Sequence, residues 1–106
     1  MLLYFRNKLN IGRATFSQAE LSLILGVYGD RVKRGIWRDY AIDCLQEMAV
    51  FSVFRSSKEN PAYAIAKIPG RSFLKPPQYA VYEGNTIVRQ GSSLGEVLDF
   101  FKEDKT

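Results

Sequence analysis

The sequence of 106 residues contains no histidine and a single cysteine, Cys44. Without histidine, neither a His/Cys zinc site nor a Ser-His or Cys-His catalytic pair can be assembled. One cysteine cannot form an internal disulfide, which is typical of proteins from a reducing compartment. We therefore expect a small cytoplasmic binding protein with no cofactor, no metal and no catalytic activity.

Long apolar runs are also missing from the sequence. No stretch approaches the roughly 20 residues that a helix needs to cross a bilayer. Residues 1–5 are apolar, but they are too few for the core of a signal peptide, and no basic residues precede them. We expect neither export nor a membrane partner.

The composition is that of one globular domain, with 46% hydrophobic, 25% charged and 13% aromatic residues. Lys and Arg number 15 against 11 Asp and Glu, a formal net charge of +4. Four of the acids lie in residues 96–106, so the preceding chain is more basic than the total suggests. We interpret residues 1–15, which have no clear period, as an N-terminal arm, and residues 16–106 as a single α+β domain.

A first helix is predicted to begin at Ser17. Ser17 and Glu20 have the spacing of a capping box. Gly35 suits the position just beyond the C-terminus, although Gly29-Asp30 would allow an end one turn earlier. Apolar residues recur at helical spacing and predict a stripe that faces the core: Leu21, Ile24, Leu25, Tyr28 and Val32.

Residues 37–55 fit two patterns. Trp37, Tyr40 and Cys44 fall in one helical stripe, but the same stretch also alternates as a strand does. Residues 49–54 are rich in β-branched and aromatic side chains, which favours a strand. We interpret 37–55 as two strands joined by a turn near Gln46-Glu47.

Three further strands are predicted. Residues 62–68 alternate as a strand, and two adjacent prolines in 71–78 indicate a surface loop. Gly84-Asn85 is a strong turn signal between the last two strands, 79–82 and 86–89.

A second helix is predicted after Ser93, because Ser93 and Glu96 repeat the capping-box spacing. They precede an apolar helical stripe formed by Leu94, Val97, Leu98 and Phe101. The resulting order is α-β-β-β-β-β-α. It predicts an α+β fold, in which a five-stranded antiparallel meander is flanked by an N-terminal and a C-terminal helix on one face.

The face of the sheet away from the helices is a candidate interaction surface. One assignment points Val50 and Phe54 toward the helices. Phe51, Val53 and Arg55 would then point away, with either the alanines or the larger residues of the third strand. Such a face is too apolar to be simply solvated, so we expect the arm, a second copy or a ligand to cover it. A homodimer or a protein-assembly role is therefore the alternative function.

Several stretches of the sequence have a distinctive order of residues. They are Glu20-Leu21 with Ile24-Leu25 and Tyr28-Gly29, then Trp37-Arg38-Asp39-Tyr40-Ala41-Ile42-Asp43, then Ala49-Val50-Phe51-Ser52-Val53-Phe54-Arg55. Together they resemble a small bacterial family catalogued only as domain of unknown function 2794, over roughly residues 16–101. Cys44, Met48 and the weakly basic loop at 71–78 depart from that pattern. The resemblance implies a cytoplasmic bacterial protein and brings no activity, cofactor or catalytic residue.

Basic and aromatic side chains form the candidate functional site. Arg and Lys neutralise phosphates, and an aromatic ring stacks on an unpaired base. We expect a nucleic acid or a nucleoprotein to be contacted by Arg31, Lys33, Arg34, Trp37, Arg38, Arg55, Lys58, Lys67, Arg71 and Lys75. In the other interpretation, Trp37 and Tyr40 are core residues, and the basic side chains form a solvated rim.

Asp39 and Asp43 form a pair of carboxylates, and the local structure decides whether they can act together. On a helix they would lie about 5 to 6 Å apart and could share a proton or a divalent ion. On a strand they would be about 13 Å apart. With the strand interpretation we expect solvated or ion-paired carboxylates.

Overall fold

The computed structural model describes residues 13–56, 60–70 and 75–103, in which two helices and five strands follow one another in the predicted order. Residues 1–12 of the expected N-terminal arm lie outside these ranges. The elements are α1 (Gln18–Lys33), β1 (Asp39–Cys44), β2 (Ala49–Phe54), β3 (Tyr63–Ile68), β4 (Gln78–Glu83), β5 (Thr86–Gly91) and α2 (Leu94–Glu103). Neither α1 nor α2 has the length and apolar character that crossing a membrane requires.

The five strands form one antiparallel sheet in the order β1-β2-β3-β4-β5, which confirms the predicted meander. Each strand pairs with its neighbour in sequence, and Phe51 of β2 lies opposite Ile42 of β1 and Ile65 of β3. The interpretation of 37–55 as two strands is confirmed. The turn between them is closed by the Leu45 amide, which donates to the Met48 carbonyl at 2.9 Å.

Both ends of α1 follow from local signals in the sequence. Ser17 Oγ accepts a hydrogen bond from the Glu20 amide at 3.1 Å, and the Glu20 carboxylate accepts one from the Ser17 amide at 2.7 Å. This is the predicted capping box. The helix ends at Lys33, and Gly35 has a φ of 75°, a left-handed conformation that glycine adopts without steric cost.

The buried side of α1 differs from the predicted apolar stripe. Ile24 is fully buried, but Leu25 and Val32 are each 42% exposed. The inward position two turns after Ile24 is occupied by Arg31, which is only 6% exposed. The predicted stripe is wrong at these positions, because the Arg31 side chain, which donates to the Phe101 carbonyl of α2, fills the inner surface of the last turn. In α2 the predicted stripe is confirmed, since all four residues are buried: Leu94, Val97, Leu98 and Phe101.

The core lies between the two helices and one face of the sheet. Phe51, Val53 and Ile65 are fully buried and pack in the same cluster as Ile24 of α1 and Phe101 of α2. The assignment of Phe51 and Val53 to the outward face is therefore wrong. The strand register explains the inward orientation of these two side chains. It places the larger apolar residues of neighbouring strands opposite one another on the helix side of the sheet.

The other side of the sheet, which we call the far face, carries small side chains in its centre. Ser52, Ala66 and Ala80 are buried, whereas Ile87 at the edge is 45% exposed. Neither helix packs on this side. The far face comprises Asp39, Ala41, Asp43, Val50, Ser52, Phe54, Ala64, Ala66, Ile68, Gln78, Ala80, Tyr82, Ile87 and Gln90.

Trp37 is the largest side chain of the core, with 1% of its surface exposed. Its ring meets Phe101 edge to face, with the centroids 5.1 Å apart at 90°. It also lies 6.1 Å from Tyr28 and 6.5 Å from Tyr63. Trp37 thus joins α1, α2 and the sheet at the point where the chain leaves α1 for β1.

Replacing Trp37 with alanine should lower the free energy of unfolding by about 3 to 5 kcal/mol, the usual cost of emptying a large aromatic site. Tyr40→Ala is the matched control, because Tyr40 is 43% exposed and should cost clearly less. Urea denaturation followed by circular dichroism measures both. Equal losses in the two variants would contradict the core position of Trp37.

Candidate nucleic-acid interface

Three of the ten predicted contact residues are not available to a nucleic acid. Trp37 is 1% exposed and Arg31 is 6% exposed. The Lys67 amine donates to the Thr15 carbonyl and to the Glu20 carboxylate, each at 2.9 Å. These three predictions are corrected: one ring is part of the core, and both cations already have internal partners.

Lys58 and Arg71 lie outside the described residues. The five predicted residues that remain lie at two opposite ends of the sheet. β1 begins and β2 ends at the first end, whereas the loop from β3 to β4, which contains Lys75, is at the second. A six-residue strand separates the ends by roughly 17 Å. The predicted set therefore does not form one continuous surface.

Four exposed basic residues come together at the first end of the sheet. Arg38 directly precedes β1, and its amide donates to the Phe54 carbonyl at 2.7 Å. This bond brings Arg38 beside Arg55, which follows Phe54. Lys33 and Arg34 lie at the end of α1, a few residues before Arg38. We call Lys33, Arg34, Arg38 and Arg55 the basic end.

Two carboxylates offset part of this charge. Asp30 accepts from Arg34 Nε at 3.2 Å and from Arg31 Nη1 at 2.6 Å, so one carboxylate serves two guanidinium groups. Asp39 accepts from the Tyr40 amide at 2.8 Å. The ion pair of Arg34 is exposed and weak, so it does not prevent contact with a phosphate.

An exposed aromatic ring lies next to the basic end. Tyr40 is 43% exposed and stacks on Phe51, with centroids 4.9 Å apart and an interplanar angle of 4°. Tyr28 meets Tyr40 edge to face at 5.0 Å. Burial, the Asp39 carboxylate and Tyr40 together raise the pKa of Tyr28. The contacts with Phe51 and Tyr28 hold the ring of Tyr40 in place.

A half-buried polar network at the start of α1 was missed by sequence reasoning. The Glu20 carboxylate accepts hydrogen bonds from Lys67 of β3, from the Tyr79 hydroxyl of β4 and from the Ser17 amide. Burial acts to raise the pKa of Glu20, but the hydrogen bonds from Tyr79, Lys67 and Ser17 outweigh it and lower that pKa. Burial and the bond to Glu20 raise the pKa of Tyr79 to about 12. The network ties α1 to two strands.

One signal in the sequence could have found this network. In β3 the alternation that buries Tyr63 and Ile65 brings Lys67 to the same, inward face. A lysine on a core face needs an anionic partner. Glu20 was assigned only to the capping box, although its carboxylate has two oxygens and accepts from three elements.

Asp39 and Asp43 lie on one face of β1, four residues apart. The rise of a strand separates them by about 13 Å, too far to share a proton or an ion. Within 13–56, 60–70 and 75–103, no three Cys, Asp or Glu side chains are grouped as a metal site requires.

The lowered pKa of Glu20 predicts a pH-dependent stability. The folded protein should gain stability from the ionised carboxylate above the ordinary pKa of 4.5, and should lose it as the pH falls through the lower, folded value. Glu20→Gln should be less stable at neutral pH, and its free energy of unfolding should fall less on acidification. Urea titrations at several pH values test this.

Tyr79→Phe is the control for this experiment, because it removes one hydrogen bond to Glu20 and keeps the carboxylate. On acidification, the free energy of unfolding of Tyr79→Phe should fall by an amount between those of the wild-type protein and Glu20→Gln. Parallel pH curves for the wild-type protein and Glu20→Gln would contradict the role given to the network.

Comparison with known proteins identifies a family but no function. No curated protein and no solved structure matches the chain. The model of a family described as a protein of unknown function (DUF2794) matches residues 14–98. The match begins before α1, includes all five strands and ends within α2, and it confirms the resemblance carried by residues 20–55. The chain belongs to the DUF2794 family.

Proposed function

We propose that the protein binds nucleic acid through backbone phosphates at the basic end. The observation that carries the proposal is the bond from the Arg38 amide to the Phe54 carbonyl, because it brings the backbones of two exposed arginines, Arg38 and Arg55, together at one end of the sheet. Arg is suited to phosphate because its planar fork donates two parallel hydrogen bonds.

Most of the positive charge of the basic end is available to a ligand. Among the ion pairs of the described residues, Arg34 is the one member of the basic end that takes part. Arg55 lies over the Tyr63 ring at 5.9 Å, a contact that orients the guanidinium, and it forms no ion pair with a carboxylate of the described residues. Neutralising three or four phosphates would release a similar number of counterions.

The exposed ring of Tyr40 favours single strands over duplex. Tyr40 lies two residues after Arg38, and its ring is already fixed between Phe51 and Tyr28. A base can stack on a fixed ring only when it is unpaired, and such contacts contribute about 1 to 3 kcal/mol per base. The partner that the geometry supports best is therefore a single-stranded segment of RNA or DNA.

Fluorescence anisotropy with labelled single- and double-stranded oligonucleotides should detect binding that is stronger for single strands. Affinity should fall steeply between about 50 and 200 mM salt, with a log–log slope of about −2 to −3, as expected for three or four phosphate contacts on a single strand. Arg38→Glu should weaken binding, and Tyr40→Ala should reduce the preference for single strands.

Lys75→Glu is the matched control, because Lys75 is also exposed but lies at the second end of the sheet. Both charge reversals change the net charge by the same amount, so only their positions differ. If Arg38→Glu and Lys75→Glu weaken oligonucleotide binding equally, the binding depends on the overall charge of the protein and not on the basic end. Absence of binding at the lowest salt would overturn the proposal.

A second candidate function is protein association through the far face. The observation that favours it is the row of partly exposed apolar side chains on the side away from both helices, including Phe54, Ile68, Tyr82 and Ile87. Patches of this kind are typical of protein–protein contacts. A second copy of the chain is the simplest partner, since most soluble oligomers are twofold homodimers.

Light scattering coupled to size exclusion should then give twice the chain mass of 12.1 kDa. Ile87→Lys places a charge on the far face and should return the protein to one chain. Leu25→Lys is the control, because Leu25 is similarly exposed, at 42% against 45% for Ile87, but lies on α1. A wild-type mass of one chain at every concentration would exclude the homodimer.

A further inference from the structure

The strand β1 has a free edge. It is the first strand of the sheet, so within the described residues no strand pairs with its outer side. The Leu45 amide donates to the Met48 carbonyl, and the hydrogen bonds of an antiparallel pair alternate in direction along each strand. The amides of Tyr40, Ile42 and Cys44 therefore point away from β2. An unpaired edge of this kind is a template for another strand.

Both ends of this free edge already have partners. At the start of β1, the Tyr40 amide donates to the Asp39 carboxylate at 2.8 Å. At the end of β1, the Cys44 carbonyl accepts from Arg13 Nη1 at 2.9 Å. The backbone of Ile42 lies between these two contacts, in the part of the edge that is open to a further strand.

An apolar cleft lies beside the free edge, between α1 and β1. Leu25 and Val32 share one face of α1 with Tyr28, which meets Tyr40 of β1 at 5.0 Å. Leu25 and Val32 are each 42% exposed, and Leu45 at the end of β1 is 46% exposed. Because β1 is the last strand on this side of the sheet, these apolar side chains are only half covered.

The two sides of the free edge differ in chemistry. Ile42 and Cys44 face the helices, whereas Asp39 and Asp43 lie on the far face. Side chains of a strand alternate between its two faces, and cross-strand neighbours interact. A strand that fits here carries apolar side chains on the helix side and basic or polar side chains on the other.

The chain itself contains a segment of this kind. Residues 6–11 read Arg-Asn-Lys-Leu-Asn-Ile, so Leu9 and Ile11 alternate with Lys8 and Asn10. An alternation of apolar and polar residues is typical of a strand with one buried face.

The chain also reaches the free edge next to this segment. Arg13 donates to the Cys44 carbonyl, and the Ala14 amide donates to the Leu45 carbonyl at 2.8 Å. From there residues 1–12 extend over up to about 40 Å, and a six-residue strand needs roughly 17 Å. A segment that runs back from Arg13 along β1 is parallel to it. The helix α1 supplies the long connection that parallel neighbours require.

We propose that residues 8–12 of this chain form a sixth strand, parallel to β1, on its free edge. Leu9 and Ile11 would cover Ile42 and Leu25 in the cleft, and Lys8 would lie on the side of the two carboxylates of β1. Addition of the segment at the edge leaves the far face open.

Hydrogen exchange of the full chain, followed by ¹H–¹⁵N NMR, tests this proposal. The Ile42 amide should exchange about tenfold more slowly than in an unfolded peptide, or slower still, because the added strand accepts its hydrogen bond. Ile11→Lys places a charge in the apolar cleft and should remove this protection. An Ile42 amide that exchanges at the unfolded rate in the wild-type protein would overturn the proposal.

Asn10→Lys is the matched control. It introduces the same residue one position away, where the alternation directs it toward the carboxylates of Asp39 and Asp43. Protection of the Ile42 amide should be kept in this variant. Equal loss of protection in Ile11→Lys and Asn10→Lys would contradict the assigned faces of the strand.

Other positions of the segment give different results. If residues 8–12 lie on the far face, Ile11→Lys should shift the amides of Ala66 and Ile87 and leave the exchange of Ile42 unchanged, which would refute the proposal. Protection of Ile42 that increases with protein concentration would assign the edge to a second copy and would refute it as well.

The proposal is independent of the nucleic-acid function. Arg38→Glu lies at the other end of β1 from Arg13 and should leave the exchange of the Ile42 amide unchanged, whatever it does to oligonucleotide binding. Failure of oligonucleotide binding would therefore leave the sixth strand intact.

Discussion

The buried guanidinium of Arg31 is the interaction on which the arrangement of the two helices depends. Its Nη2 donates to the Phe101 carbonyl, one of the unpaired carbonyls that the last turn of a helix leaves. Its own backbone carbonyl accepts from the amides of Ile36 and Trp37, at 2.9 and 3.4 Å. One residue thereby joins α1 to α2 and sets the position from which the chain enters β1. A hydrogen bond from a charged group contributes about 1.5 to 3 kcal/mol.

The elements of the fold could be predicted because each has a signal within a few residues of it. Ser17 with Glu20 begins α1, Gly35 ends it, and Gly84-Asn85 forms the last hairpin turn. The choice of inward face was predicted wrongly, because residues 49–54 carry large apolar side chains on both sides and Ser52 alone marks the outward face. Pairing with β1 and β3 decided it, and that pairing depends on residues distant in the sequence.

The candidate site was predicted less well, and the reason is physical. A count of basic residues along the chain treats every cation as free. In the folded protein Arg31 donates to the Phe101 carbonyl of α2, and Lys67 donates to the Glu20 carboxylate of α1. These acceptors, which stabilise the buried cations, lie 70 and 47 residues away in the sequence. Local periodicity contains no information about such pairs.

The exposed basic residues form a smaller surface than the sequence alone suggests. Removing Arg31 and Lys67 from the basic surface leaves a smaller set at one end of the sheet, joined by the bond between Arg38 and Phe54. The buried charge of Arg31 is matched by the Asp30 carboxylate at 2.6 Å, and the guanidinium also donates to the Phe101 carbonyl. Burial of this one arginine therefore subtracts a cation from the outer surface. Asp30 pairs with the exposed Arg34 as well, so a single carboxylate connects the contact between the helices to the basic end.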